Sequence, residues 1–231
     1  MSDTAEVHIV RVFTDAQGLF GNHLGVVLDG ARYDAEAGSR LCAELGFSEV
    51  VLVDDRSAAR LRVFTPKEEL PLAGHPLVGT AWLLGRLAGT PVKTLRPVKA
   101  AEVDTWAEDG RTWIRARLAD APEWGMVQLA EEGAVEMLSV PPGPEYDHHM
   151  FWAWIDEPNG VMRARCFAAR SGIPEDEATG SAAMRQVEAL KRRIVVRQGW
   201  GSEVVARPAQ QAGWVEVGGL VASDGMRAVR F

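Results

Sequence analysis

One segment, residues 62–80, constrains the fold of this chain most, because it changes from strand to helix within a few residues. Its first residues alternate between apolar and polar, which predicts a strand, and apolar residues then recur at helical spacing. Pro76 falls in the first helical turn, where a missing N–H removes no hydrogen bond. Gly74 and His75 therefore stand at a helix start, where unpaired N–H groups and the helix dipole favour a small anion. On this segment alone, a strand–helix connection with a solvated His is the simpler interpretation.

The same pattern recurs later in the chain. An ungapped shift of 103 positions aligns residues 60–78 with residues 163–181. The coinciding pairs are Arg60 with Arg163, Arg62 with Arg165, Phe64 with Phe167, and Pro71 with Pro174. Two copies at so long a period indicate two halves built alike, since a solenoid needs three or more short repeats. We expect both helix N-termini to face one cleft between the halves, with Ala73 opposite Asp176.

Composition and charge narrow the class of protein. The chain has 231 residues, of which 47% are hydrophobic and 25% charged, as in ordinary globular proteins. A net charge of −7 argues against nucleic acid as a partner, and the one basic cluster, Lys191-Arg192-Arg193, falls where a helix should end. No apolar run is long enough to span a membrane, and the N-terminus does not have the pattern of a signal peptide. We expect a soluble cytoplasmic protein.

The rest of the chain predicts alternating short elements. Asp34 is a plausible N-cap for a helix over residues 35–45, which Gly46 ends. The acidic and then proline- and glycine-rich stretch 131–144 is the candidate crossing between the halves. Residues 220–231 predict a last hairpin. Further strands are expected at residues 7–13, 24–28, 50–53, 61–64, 93–98, 103–106, 113–117, 124–129, 150–155, 161–167, 194–197, 202–207 and 213–217.

Two sets of residues include metal-binding or redox-active side chains, but neither has the spacing of a metal or redox site. His148 and His149 are adjacent, so their side chains point in different directions on a strand, and no third ligand is spaced to help. We therefore predict no metal site. Cys42 and Cys166 lie far apart in apolar contexts, which is typical of small core residues in a reducing compartment.

Short motifs run along the whole chain in a definite order: Phe20-Gly21-Asn22, Ser48-Glu49, Ala73-Gly74-His75-Pro76, Gly172-Ile173-Pro174-Glu175-Asp176, Ala178-Thr179-Gly180-Ser181-Ala182 and Gln198-Gly199. In sequence and order they resemble the phenazine-biosynthesis PhzF-like proteins, which have the diaminopimelate-epimerase fold. The resemblance implies an α+β fold of two pseudo-symmetric halves, each a mostly antiparallel sheet or open barrel around a central helix. We expect the halves to span residues 1–140 and 141–231, with the final strands able to return to the first half.

The resemblance also implies roles for particular residues. A Glu at the mouth of a buried strand is usually a solvated end residue, but the family's general acid/base is a Glu in this Ser-Glu context, which is Glu49 here. His75 and Asp176 would orient the substrate and assist the proton shift. The substrate-binding set implied by the motifs, including backbone N–H groups for a carboxylate, is Asn22, Gly74, Thr179, Gly180 and Ser181.

Other members of the fold use two cysteines as paired acid and base. Those thiols would fall at Ala73 and Asp176, and neither residue is Cys. The chain is therefore not expected to be a two-cysteine racemase, and a carboxyl mechanism remains. The implied function is a cofactor-independent isomerase that moves a proton on a small carboxylic acid, acting as a homodimer.

The sequence is also compatible with other functions, and it departs from the family pattern at several positions. The same cleft would suit a non-catalytic carboxylate-binding protein or scaffold, or an epimerase using Glu49 and Asp176 on opposite faces. His23 and Glu177 stand where the family commonly has Pro, and the middle of the chain is shorter than usual. These departures indicate a relative with a different substrate, which the sequence does not name.

Overall fold

Fifteen strands and four helices make up the ordered framework of the computed structural model, which describes residues 4–140 and 142–231. The helices are α1 (Ala35–Leu45), α2 (Gly74–Ala88), α3 (Glu132–Glu136) and α4 (Gly180–Leu190). The strands are β1 (Thr4–Thr14), β2 (Asn22–Val27), β3 (Glu49–Asp55), β4 (Arg60–Phe64), β5 (Glu69–Leu70), β6 (Thr94–Pro97), β7 (Val103–Glu108), β8 (Arg111–Arg117), β9 (Gly125–Gln128), β10 (His149–Asp156), β11 (Val161–Ala168), β12 (Ile173–Asp176), β13 (Ile194–Gln198), β14 (Ser202–Pro208) and β15 (Trp214–Arg230).

Eight strands close into a barrel, to which residues 1–140 contribute seven strands and the C-terminal segment contributes β15. They are ordered β1-β2-β3-β4-β6-β7-β8-β15, and β15 returns to pair antiparallel with β1. Helix α2 packs against β1, β2, β3, β8 and β15, and most of its residues are buried, from Gly74 to Leu84. A helix that is apolar nearly all round fits such an enclosed position.

The second half is an open sheet that continues from the same strand. Its order is β15-β14-β13-β11-β10-β9, and α4 packs on β13, β14 and β15. One hydrophobic core contains residues of both helices and both sheets, so the two halves are packed together. The predicted α+β fold of two similar halves around central helices is confirmed, with a closed barrel in the first half.

Local signals set the ends of the helices as predicted. The Asp34 carboxylate accepts a hydrogen bond from the Ala37 N–H (2.8 Å), and Gly46 ends α1 in the left-handed conformation at φ 68°. Gly89 ends α2 in the same way, at φ 71°. Among the described residues, no helix has both the length and the apolar character needed to cross a membrane.

Two expectations about chain topology were wrong. Residues 220–231 do not form a separate hairpin, because β15 is one continuous strand that leaves the second sheet and joins the barrel. Asp224-Gly225 reads as a turn, but it accommodates a bulge: Ile9 pairs with Gly225, and Val10 pairs with Ser223. The crossing to the second sheet precedes residues 131–144, since β9 already pairs in parallel with β10. The division at residues 140 and 141 stays a prediction.

The alignment of the two repeats also needs a correction. Val63 pairs with Leu70 in the first half, and Cys166 pairs with Asp176 in the second, so the second connection is three residues longer. The helices consequently begin 106 positions apart, with Ala73 and Thr179 as N-caps. The residue equivalent to Ala73 is Thr179, and Asp176 corresponds to Leu70.

Candidate functional site

The starts of α2 and α4 touch at the junction of the two halves. A methyl group added to Gly74 would lie 2.8 Å from Cα of Gly180, and one added to Gly180 would lie 3.0 Å from Cα of Gly74. Only glycine allows this approach of two backbones. The first N–H groups of each helix have no acceptor within their own helix, so two positive dipole ends converge on one point.

A carboxyl group and an imidazole face each other beside these helix starts. Oε2 of Glu49, at the start of β3, lies 3.6 Å from Nε2 of His75, in the first turn of α2. Glu49 is 8% exposed and His75 is 3% exposed. Among the described residues, these two atoms are buried polar atoms without a hydrogen-bond partner. Buried polar atoms are nearly always paired, so an unpartnered pair in a cleft indicates a place for a ligand.

Burial keeps both groups of this pair neutral. Removal from water, followed by the charge of Asp176, raises the pKa of Glu49 to about 8. Burial lowers the pKa of His75 to about 3, against a hydrogen bond to the backbone of His23 that favours the protonated ring. At pH 7 most Glu49 side chains therefore carry a proton, and the pair is not an ion pair.

Asp176, in contrast, has a donor on each carboxylate oxygen. Asn22 Nδ2 donates to Oδ1 (2.6 Å), and the Thr179 hydroxyl donates to Oδ2 (2.6 Å). Burial raises the pKa of Asp176 to about 6, and these hydrogen bonds oppose the rise. The pKa of Asp176 is thus raised less far than that of Glu49. Two carboxyls with separated pKa values are a recurring arrangement in acid/base sites.

The other wall of the cleft is aromatic and comes from the second sheet. Trp124 Nε1 donates to Ser181 Oγ (3.0 Å), and the Trp124 ring lies 5.3 Å from the ring of His148. Asp147 Oδ2 holds Nδ1 of His148 at 2.7 Å. The cleft encloses about 170 Å³, which suits a small molecule.

The predicted site residues converge on this cleft. Those that line it are Glu49, Gly74, His75, Asp176, Thr179, Gly180 and Ser181. Asn22 does not line the cleft, but its Nδ2 donates to Oδ1 of Asp176 and to the carbonyl of Ala178. The expectation that both helix starts face one cleft is confirmed. Thr179 is the N-cap of α4, but its hydroxyl bonds to Asp176 and does not cap the helix.

Sequence reasoning missed three residues of the site. Gln198 is 1% exposed and bonds to both Asp176 and Thr179, and its Gln-Gly motif was the available signal. Trp124 and His148 line the cleft from a different sheet, and no local pattern indicates that position. The described residues contain no group of three or more His, Cys, Asp or Glu side chains placed to hold a metal ion.

The two residues that depart from the family pattern, Glu177 and His23, do not line the cleft. Glu177 does not point to solvent: it accepts from Ser202 Oγ (2.7 Å) and the Trp200 N–H (3.0 Å), and burial raises its pKa. His23 is at the surface, stacked on Phe47 at 5.3 Å. Cys166 is fully buried, and burial raises the pKa of its thiol well above the ordinary value, so no thiolate is available there.

Comparison with known proteins supports the family resemblance of the sequence motifs. The sequence model of the family described as phenazine biosynthesis-like protein matches residues 10–105. Trans-2,3-dihydro-3-hydroxyanthranilate isomerase of Pseudomonas chlororaphis is 30% identical over 217 residues, which cover 76% of this chain and 76% of that protein. An uncharacterized isomerase of Mesorhizobium japonicum is 33% identical over 156 residues, or 62% of this chain and 50% of that protein. That match thus spans half of the relative's length.

The fold has close structural counterparts as well. The crystal structure of the Bacillus anthracis phenazine biosynthesis protein, of the PhzF family, superimposes with a TM-score of 0.79 at 20% identity, covering 98% of this chain and 99% of that one. The barrel, the open sheet and the two touching helix starts define an epimerase-like α+β protein with its cleft between two halves. The chain belongs to the phenazine biosynthesis-like, or PhzF, family.

Proposed function

We propose that this protein is an isomerase that moves a proton on a small carboxylic acid, with Glu49 as the general acid/base. The observation that carries the proposal is the buried, unpartnered contact between Glu49 and His75 at the two helix starts. A carboxyl group with a pKa near 8 holds a proton at pH 7 and can also release it, which suits general acid/base work near neutral pH.

The reaction balances within the substrate and Glu49. In its ionised form, Glu49 takes a proton from one carbon, and the electron pair of that C–H bond moves into the neighbouring unsaturated system. Glu49 then returns the proton to a different carbon, where a new C–H bond forms. The composition of the substrate is unchanged, so proton transfer alone moves the double bond and no cofactor is required.

The other cleft residues bind and orient in this proposal. The substrate carboxylate lies at the N–H groups of Gly74, Gly180 and Ser181, where both helix dipoles are favourable. Asp176, held ionised by its two donors, accepts a hydrogen bond from a hydroxyl or amino group of the substrate. His75 is neutral, and its free Nε2 faces the Glu49 carboxyl and accepts from a protonated group there.

The names of the relatives support one chemical class of substrate. The Pseudomonas chlororaphis relative is named for trans-2,3-dihydro-3-hydroxyanthranilate, an amino- and hydroxy-substituted unsaturated carboxylic acid. The departures at Glu177, which follows Asp176 in the chain, and at the surface residue His23 favour a related acid with different substituents. We also propose a cytoplasmic homodimer, and light scattering of the purified protein tests the dimer.

The test is deuterium exchange from solvent into the substrate. Wild-type protein is incubated in D₂O with trans-2,3-dihydro-3-hydroxyanthranilate and a panel of small unsaturated or amino-substituted carboxylic acids, and proton NMR follows carbon-bound deuterium. We expect exchange with at least one acid. Glu49→Gln should slow it by about 10²–10⁴-fold, the range usual for removal of a general acid/base. Glu44→Gln, an exposed Glu on α1, is the matched control and should exchange as wild type does.

Exchange at the wild-type rate in Glu49→Gln would refute the role of Glu49. Binding that raises the melting temperature without any exchange would instead support the carboxylate-binding alternative, since binding to the folded state stabilises it by mass action. Inversion of a chiral acid without double-bond migration would support the epimerase alternative.

A further inference from the structure

We propose that Gln198 is a positioning residue that fixes the direction of the Thr179 hydroxyl, and through it keeps Asp176 a hydrogen-bond acceptor on both oxygens. The proposal deepens the proposed function, on which its catalytic meaning rests. Gln198 does not line the cleft, and it is 1% exposed at the end of β13. Its influence on the chemistry must therefore pass through Asp176 and Thr179.

The orientation of the Gln198 amide is determined by its neighbours. The Thr179 N–H only donates, and it lies 3.1 Å from Oε1 of Gln198. The Asp176 carbonyl only accepts, and it lies 2.7 Å from Nε2. The reversed amide would place donor against donor and acceptor against acceptor, so the orientation follows from the chemistry of the partners.

This orientation determines where the Thr179 proton goes. The second proton on Nε2 of Gln198 points to Oγ1 of Thr179, at 2.8 Å. Thr179 Oγ1 is consequently an acceptor from Gln198 and has a single proton of its own to give. The Asp176 carboxylate, 2.6 Å away, receives that proton as a hydrogen bond on Oδ2.

The other Asp176 oxygen, Oδ1, also accepts from an amide whose orientation is fixed by its neighbours. Nδ2 of Asn22 donates to Oδ1 of Asp176 and to the carbonyl of Ala178, at 2.6 and 3.1 Å. The carbonyl of Ala178 fixes the Asn22 amide, as the Asp176 carbonyl fixes that of Gln198. Donors on both oxygens favour the ionised carboxylate, and the charge on Asp176 in turn favours the protonated form of Glu49.

The test measures the titration of Asp176 directly, without a substrate. Protein labelled with ¹³C at the Asp side-chain carboxyls is titrated by NMR, and Asp176→Asn assigns the resonance. Gln198→Met keeps the size and removes the amide, and should raise the apparent pKa of Asp176 by about one unit, a tenfold change in proton affinity. Thr179→Val should raise it similarly. The double variant should match Thr179→Val alone, because Gln198 acts through the hydroxyl.

Controls separate positioning from a structural role. Gln186→Met removes an equally buried amide from α4 that has no bond to Asp176, and should leave the titration unchanged. If Gln198→Met does not fold, Gln198→Leu replaces it: it also removes the amide and adds no charge near Asp176, with the same expected rise.

An Asp176 titration that is unchanged in the Gln198 variants, or shifts that add in the double variant, would overturn the proposal. Because no turnover is measured, this result is independent of the exchange experiment. A protein without isomerase activity but with the expected titration shifts would refute the proposed function and leave the positioning role of Gln198 intact.

Discussion

In the first half of the molecule, Arg62 lies 5.4 Å from the ring centroid of Phe64 and forms an ion pair with Asp54. In the second half, Arg165 lies 5.3 Å from the ring centroid of Phe167 and forms an ion pair with Glu175. Each arginine also donates to backbone carbonyls of a nearby loop, that of Tyr33 for Arg62 and that of Leu138 for Arg165. The residues that repeat in the sequence therefore make the same kinds of contact in both halves. In both halves an arginine thus lies over a phenylalanine ring beside a carboxylate, although the two carboxylates come from different elements, β3 and β12.

The halves differ where each helix begins. The start of α2 has the apolar N-cap Ala73, and beside it Oε2 of Glu49 and Nε2 of His75 face each other without a hydrogen-bond partner. The start of α4 has the polar N-cap Thr179, whose hydrogen bonds join Asp176 and Gln198. One scaffold thus carries two arrangements: two buried polar atoms without partners beside the start of α2, and a hydrogen-bonded network at the start of α4.

The largest expected effect on stability concerns Arg62 and Arg165. Arg62→Met and Arg165→Met each leave a partly buried carboxylate and loop carbonyls without their donor, so each should lower the free energy of unfolding by about 3 kcal/mol. Urea denaturation measures the loss. Arg60→Met, an exposed Arg on the same strand as Arg62, is the control and should change stability by less than about 0.5 kcal/mol. Strongly unequal losses for the two variants would break the equivalence of the halves.

A smaller effect is expected where the two halves touch. Gly74→Ala places a methyl group against the backbone of Gly180, and we expect a loss of about 2 kcal/mol in the free energy of unfolding, as for overpacked cores. Gly133→Ala, in helix α3, is the control, because a methyl group there meets no atom closer than 4.0 Å. Equal stability of Gly74→Ala and wild type would show that the helix starts are not in contact.

The smallest expected effect on stability concerns the proton on Glu49, beside the start of α2. The pKa of Glu49 is raised above its unfolded value near 4.5, so the folded state binds this proton more tightly than the unfolded state does. Glu49 therefore stabilises the fold less as pH rises from the unfolded pKa to the folded one, by about 1 kcal/mol between pH 7 and pH 8. Glu49→Gln should remove this part of the pH dependence, as measured by urea denaturation at both pH values. An unchanged slope would contradict a buried, protonated Glu49.

Much of the site was predictable because its signals are local. The cap residues Asp34 and Gly46 mark a helix by their own side chain or backbone freedom, and the structure confirms both. The two helix starts follow from Pro76 and from the repeat, and the placing of both in one cleft follows from pseudo-symmetry. The identity of Glu49 as a special residue rested on the resemblance, since no pattern shows that a strand-end Glu is buried.

What could not be predicted depends on pairing between distant segments. The hairpin expected over residues 220–231 does not form, because β1 offers β15 a long partner, which the strand follows through a bulge at Gly225. The three-residue difference between the repeats lies in a connection whose length an ungapped alignment cannot detect. Trp124 reaches Ser181 from another sheet, a contact that only the folded chain creates.

The central claim is that Glu49 is the protonated acid of the site and Asp176 the ionised partner. Carbon-13 NMR titration of side-chain carboxyls, with Glu49→Gln to assign the resonance, measures it most directly. We predict an apparent pKa for Glu49 well above its ordinary value, near 8 and higher than that of Asp176. A Glu49 that titrates near 4.5, or below Asp176, would contradict the account.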